Sequence, residues 1–395
     1  MDIQSDNPDI EKVLIGINDR VMAEGAVMAE GLEIACKNGE MSILSSGVPT
    51  AGPLIKMPHN CLLPYDDFTL ALEGSDIVIK SHTDKVTPLQ VGLMEYMMAL
   101  YNMTDKIDLH RAASPWMILQ KAPEVLDILA MGREGDGFRG QVSAIRQEKA
   151  GDAFTLSTFF NSRLLGCRLY EPKTKKKRVL MPILDCLNHT AAGAFFQNDY
   201  PDKGRSSIFI RQSNPVPGSN ECYAFYGRLD AFDSYINYGF VDEKAPMVRS
   251  VPIDIDFGKF GTIKIRGLTG MVKKSELPDL YKDLFFHMPI INVYHDEKRA
   301  EMSHIFIPGR NARKSMRRIL EFVILLLIPS ISESEALGYV LKAESEIINR
   351  NVAYYNDLLG RATSENDMKN KTLSQVQILC NAQLKKINEY RSFSF

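Results

Sequence analysis

The sequence predicts an α+β chain: small β-sheets built from short strands, a helical insert within them, and a mainly α-helical C-terminal region. Three observations carry this. Residues 32–79 hold short apolar runs cut by Gly, Pro and Asn-Gly, the spacing of small sheets rather than of βαβ units. From Pro88 the apolar spacing switches to threes and fours. The last third keeps helical spacing through Leu337, Leu341, Ile348, Val352, Tyr355 and Leu359, then through Leu373, Val376, Leu384, Ile387 and Tyr390.

Taken in order, residues 32–35 read as a strand that turns at Asn38-Gly39. Residues 42–45 break at Gly47 and again at Pro53, residues 54–57 end at Pro58, and residues 76–80 follow Gly74. Residues 88–103 place Leu89, Leu93, Met97 and Leu100 on one helical face, with Pro88 suited to the first turn. A second helical stretch covers 116–131, with Pro123 breaking it or opening a new turn. Residues 132–140 are glycine-rich and read as a loop, and strand-like sequence returns over 179–265. Ser332 and Glu335 form a capping-box pattern, and Gly360 is the expected stop of the helix that follows. The apolar run 322–328, closed by Pro329, is far short of the roughly 20 residues that span a bilayer and reads as a buried helix segment.

The bulk numbers fit an ordinary globular protein of two or three packed units: 395 residues, 45% apolar, 24% charged. A net charge of −2 gives no electrostatic signature for nucleic acid or an anionic membrane. The six cysteines lack any Cys-x-x-Cys pair, so no zinc site is expected. They read as reduced thiols, and the acidic N-terminus lacks a secretory leader, which points to a cytoplasmic protein.

Two elements are candidates for chemistry. One is Asp185-Cys186-Leu187-Asn188-His189; the other is Tyr226-Gly227, followed twelve residues later by Tyr238-Gly239-Phe240. Singly, each has a structural explanation. Asn tolerates turn angles, His caps carbonyls, and Tyr fills a core while wetting its hydroxyl. A glycine directly after tyrosine suits a close backbone approach.

As a set, these motifs resemble the SET domain, and more narrowly the Rubisco large-subunit methyltransferase class. Phe160-Asn161-Ser162-Arg163 is similar to the Ser-Arg element that this class places before Asn-His, and Ile55-Lys56-Met57-Pro58 to a strand end near its first glycine motif. The order of β portion, helical insert, β portion and helical tail is also the same, and no Cys-rich segment follows. The resemblance implies S-adenosyl-L-methionine as cofactor, contacted by Asn188, His189, Asp185 and Tyr226, with Arg163 near its carboxylate. It places Tyr226 beside the transferred methyl and Tyr238 and Phe240 along a narrow amine channel. Gly39-Glu40-Met41 takes the place of the family's Gly-x-Gly, whose bare backbone the cofactor approaches, so the resemblance implies cofactor contacts from Gly39, Glu40 and Met41 as well, with Met41 standing where the second glycine is usual.

The expected divisions are 1–86 and 155–250 for the two parts of the core, 87–154 for the insert, and 251–395 for a helical domain that docks a protein substrate. The function implied is lysine N-methylation of a non-histone protein by a monomer that binds neither nucleic acid nor membrane. Three alternatives stay open: methylation of histidine, methylation of a small-molecule amine, and a non-catalytic binding module, which Met41 favours. The basic run Lys173 to Arg178 offers an acidic partner a contact or is simply an exposed loop.

Overall fold

The structure is a computed structural model and describes all residues except 47–51, 148–150, 202–204, 213–217, 269, 271, 310–312, 365–370 and 393–395. The break expected at Gly47 lies outside the described residues. The chain is α+β. It packs into two compact units, 1–112 with 150–228 and 113–149 with 229–395. The helical stretch between the β portions therefore contributes to both.

In the first unit the Asn38-Gly39 signal makes a hairpin. Leu32–Lys37 and Glu40–Ser45 pair antiparallel across it, with positive φ at Asn38 (51°) and Gly39 (77°), as a two-residue mirror-image turn requires. Asp2–Ser5 joins the sheet parallel to Leu32–Lys37, after a crossover through the Pro8–Ala23 helix. That βαβ unit is an addition to the expected small sheets. Its helix buries Ile10, Val13, Leu14, Ile17 and Val21 on one face and is capped by the Asn7 side chain.

The first β portion and the 197–211 part of the second share one sheet and one core, while the strands after 229 belong to the second unit. Ser207–Arg211 pairs with Pro53–Pro58, which also pairs with Val27–Met28, and Gln197–Asp199 covers the far side. A single apolar cluster runs from Ile10 to Ala224. The helix Pro88–Met103 closes this core with Leu93, Met97 and Leu100, and a Thr87–Gln90 capping box starts it.

In the second unit, prolines start two helices, Pro115–Leu119 and Pro123–Ala130. The loop expected over 132–140 ends at Gly135, because residues 136–140 belong to the helix Asp136–Arg146. Buried Val142 and Ile145, with Phe138 against Trp116 and Phe232, outweigh a helix cost of roughly 1 kcal/mol for each of Gly137 and Gly140. Strands continue past 265. Ile253–Asp256, Thr262–Ile265, Arg299–Met302 and Ile291–Tyr294 form one sheet, in which Ala300 and Met302 are buried between charged neighbours. The Ser332–Glu335 capping box is present, but the helix Glu333–Ser364 passes through Gly360, held by buried Tyr355, Leu358 and Ala362.

A buried charge network fixes this unit. Arg133 donates to both carboxylate oxygens of Asp230 (3.0 Å) and to Asp233 (3.1 Å), while Arg249 reaches Asp233 at 2.8 Å. Asp230 also caps the Ala231–Tyr238 helix and accepts from the Arg249 amide and Gln383. Two cations and two anions balance, as burial demands.

Candidate functional site

The Asn-His segment is aimed by a strained turn. Ile183 sits at φ 66°, ψ −51°, and the Leu184 amide donates to the Pro182 carbonyl at 2.7 Å, a tight γ-turn rare for a β-branched residue. Such a conformation costs roughly 1–3 kcal/mol. Full burial of the Ile183 side chain offsets it. The turn sends the Asp185 carboxylate to the Tyr101 hydroxyl (2.8 Å) and to Arg163 Nη1 (3.2 Å). Burial, then the Asp185 charge, pushes the Tyr101 phenol well above its usual range, so it remains a donor. The Arg163 guanidinium also lies 4.5 Å from the Phe159 ring centre and 5.2 Å from that of Tyr101. Its Nε is buried without a hydrogen-bond partner.

Beyond Asp185, three segments converge. Asn188 and His189 pair in parallel with Tyr223 and Ala224, and Ala194 pairs with Ala224 again. Residues 189–194 thus loop out and return to one partner, and the Phe225 amide donates to the Ala194 carbonyl at 2.8 Å. The return needs Gly193, since a β-carbon there would stand 2.4 Å from both the carbonyl carbon and the oxygen of Ala224. On its other side, the 220–222 segment pairs with Glu40–Ser45: Ser45 N–H donates to Asn220 (2.9 Å) and Cys222 N–H to Ile43 (2.7 Å). The Asn188 amide ties all three together, donating to the Met41 carbonyl (3.2 Å) and to Glu221 (2.7 Å).

Tyr226 belongs to this junction. Its amide donates to His189 Nδ1 at 3.1 Å, and its hydroxyl donates to the Leu187 carbonyl. The first bond makes Nδ1 an acceptor, so a neutral His189 carries its proton on Nε2. The rings of Phe195, Phe225, His189 and Tyr226 form a row, with successive centres 4.5, 6.0 and 5.1 Å apart.

The structure therefore brings together Met41, Asn188, His189 and Tyr226, and separately joins Arg163 to Asp185. Glu40 reaches toward Lys106, at 3.7 Å. Gly39 forms the hairpin turn, and its missing β-carbon lies 3.1 Å from the Thr104 carbonyl. Tyr238 and Phe240 fall in the second unit, their ring centres 6.0 Å apart, and burial, then the Asp233 charge, lifts the Tyr238 phenol to about 12. Sequence reasoning missed Tyr101, Glu221, Tyr223, Phe225 and Gly193. The run Thr190-Ala191-Ala192-Gly193-Ala194 is the signal that marks Gly193, since small residues allow close backbone approach.

No three metal-ligating side chains cluster among the described residues, and no helix among them is long and apolar enough to cross a membrane. All six cysteines are buried free thiols. The basic run is partly neutralised: Lys177 pairs with Asp67 at 2.6 Å and Arg178 with Asp66.

No family model matches the chain, and no curated protein matches it. Among solved structures it is similar to the SET domain of LSMT bound to lysine and AdoHcy, at 10% identity and a TM-score of 0.43, over 97% of this chain and 90% of that one. It is also similar to Rubisco LSMT bound to AdoMet, at 10% identity and a TM-score of 0.38, over 96% and 89%.

Proposed function

We propose that the chain is an S-adenosyl-L-methionine-dependent protein N-methyltransferase acting on a lysine side chain. The observation that carries this reading is the double pairing of His189 and Ala194 on Ala224, where the Asn-His and Tyr-Gly motifs meet the Gly39–Met41 turn strand. The residues present fit the cofactor. The His189–Phe225 row offers flat faces for a purine, Asn188 anchors the loops around it, and Arg163, within charge range of Tyr226, and Lys106, beside Glu40, are cations for a carboxylate.

When bound, the cofactor supplies an electrophilic methyl group on a sulfonium. The chain's part is to hold the acceptor amine in line and exclude water, a positioning effect that can lower such a barrier by roughly 7–11 kcal/mol. Attack requires a neutral amine. Lysine has a reference pKa of about 10.4, and desolvation beside a sulfonium lowers it. Aromatic faces such as that of Tyr226 tolerate the cationic centre. In this reading Tyr238 and Phe240 line the substrate's path, a role that rests on the resemblance, and residues 251–395 dock the protein substrate of a cytoplasmic monomer.

The test is to incubate the purified protein with methyl-labelled S-adenosylmethionine and a cell lysate, then hydrolyse the labelled proteins. Methyl-lysine is expected, and it is strongly reduced in Tyr226→Phe. Label on histidine or on a small amine overturns the choice of lysine, and no label at all overturns the enzymatic reading.

A further inference from the structure

We infer that Lys106 binds the carboxylate of an adenosyl ligand's amino-acid arm, in the place expected for Arg163. The inference rests on the proposed adenosylmethionine-dependent reading. Lys106 opens the helix Lys106–Ala113, and its side chain is only 9% exposed. Buried ammonium groups normally hold short charge-assisted hydrogen bonds. Among the described residues Lys106 makes none. Its ion-pair partner Glu40 stands 3.7 Å away, beyond hydrogen-bond reach, and is 77% exposed.

The charges around it leave Lys106 undersatisfied. Asp185 is engaged by Arg163 and Tyr101. Burial pushes the Lys106 amine down and the Arg163 charge adds to it; Glu40, and more weakly Asp185, oppose this. Glu40 is the carboxylate nearest the Lys106 charge, with Asp185 a weaker second, and an incoming carboxylate replaces Glu40 at little cost, because Glu40 turns to water. Arg163 is partly committed: Nη1 is held by Asp185 and the guanidinium lies against two rings, which leaves the buried Nε as its unpartnered donor. Lys106 also lies two residues past Thr104, whose carbonyl abuts Gly39, so it adjoins the Gly39–Met41 turn.

The experiment compares two ligands by calorimetry: S-adenosylhomocysteine, which carries the amino-acid arm, and 5′-methylthioadenosine, which lacks it. Lys106→Met should weaken S-adenosylhomocysteine by roughly 10- to 100-fold, the worth of one charged hydrogen bond, and leave methylthioadenosine unchanged. Lys106→Arg should restore part of the loss, and Glu40→Gln should bind at least as tightly as wild type. Lys106→Gln gives the same comparison should the methionine variant fold poorly, and ligand-free melting temperatures verify the fold. Equal loss for both ligands, no loss for either, or the same selective loss in Glu40→Gln overturns the inference. Failure of the wild type to bind either ligand instead overturns the proposed function on which it rests.

Discussion

Gly193→Ala is the sharpest test of the looped pairing. The new β-carbon would stand 2.4 Å from the carbonyl carbon and oxygen of Ala224 and 2.7 Å from the Phe225 nitrogen. All three are backbone atoms, so no rotamer relieves the overlap. The strands must separate by about 1 Å, given an ordinary contact of roughly 3.5 Å. This breaks the Phe225–Ala194 bond of 2.8 Å. Losing one hydrogen bond costs roughly 1 kcal/mol and overpacking a further 1–3 kcal/mol, about 2–4 kcal/mol together. Amide hydrogen exchange reads this locally. Protection of Phe225 should fall by a factor of roughly 30 to 700, at 1.4 kcal/mol per tenfold. The control is Gly140→Ala, in a helix and with open space around it, which should stabilise by roughly 0.5–1 kcal/mol. Unchanged protection of Phe225 in Gly193→Ala would refute the close approach, and with it the double pairing on Ala224.

Three further outcomes are expected. Burial, with the Arg163 charge, lowers His110 to about 4. The unfolded state therefore binds a proton that the folded state refuses, so this residue's share of stability declines as pH falls from about 6.5 to about 4, by roughly 2–3 kcal/mol. His110→Gln should show a correspondingly shallower loss in that window by denaturant titration, and an identical pH profile would contradict the burial of a neutral imidazole. Arg133→Met leaves Asp230 and Asp233 facing Arg249 alone and should cost roughly 3–5 kcal/mol in unfolding free energy; a loss below about 1 kcal/mol would show that the network is dispensable. Tyr226→Phe removes the donor to the Leu187 carbonyl and should cost about 1 kcal/mol of stability, read by denaturant midpoint, while retaining the fold.

Much of the fold was legible because its signals are local. The Asn38-Gly39 hairpin follows from two residues that accept positive φ, and the Thr87 and Ser332 helix starts follow from side chains that cap their own turns. The Pro8–Ala23 helix carries an equally local signal, an Asn cap followed by Ile10, Val13, Leu14, Ile17 and Val21, but no element was expected there. The chain beyond 265 misled because its strands are three or four residues long, too short for alternation to stand out. The site was legible only as motifs. Nothing near Lys106 in the sequence marks it as buried, and its neighbours Thr104, Asp105 and Asp108 read as a solvated turn. Likewise Asp185 meets Tyr101 across 84 residues and Arg133 meets Asp230 across 97, pairings that arise only once the core has closed.

A ligand site built where the Gly39–Met41 turn, the 188–194 loop and the 220–226 segment converge is read out by hydrogen exchange with and without saturating S-adenosylhomocysteine. Exchange should slow in those three segments and change little in the Ile253–Asp256 and Thr262–Ile265 strands of the second unit. Protection confined to other parts of the chain, or none at millimolar ligand, would contradict it.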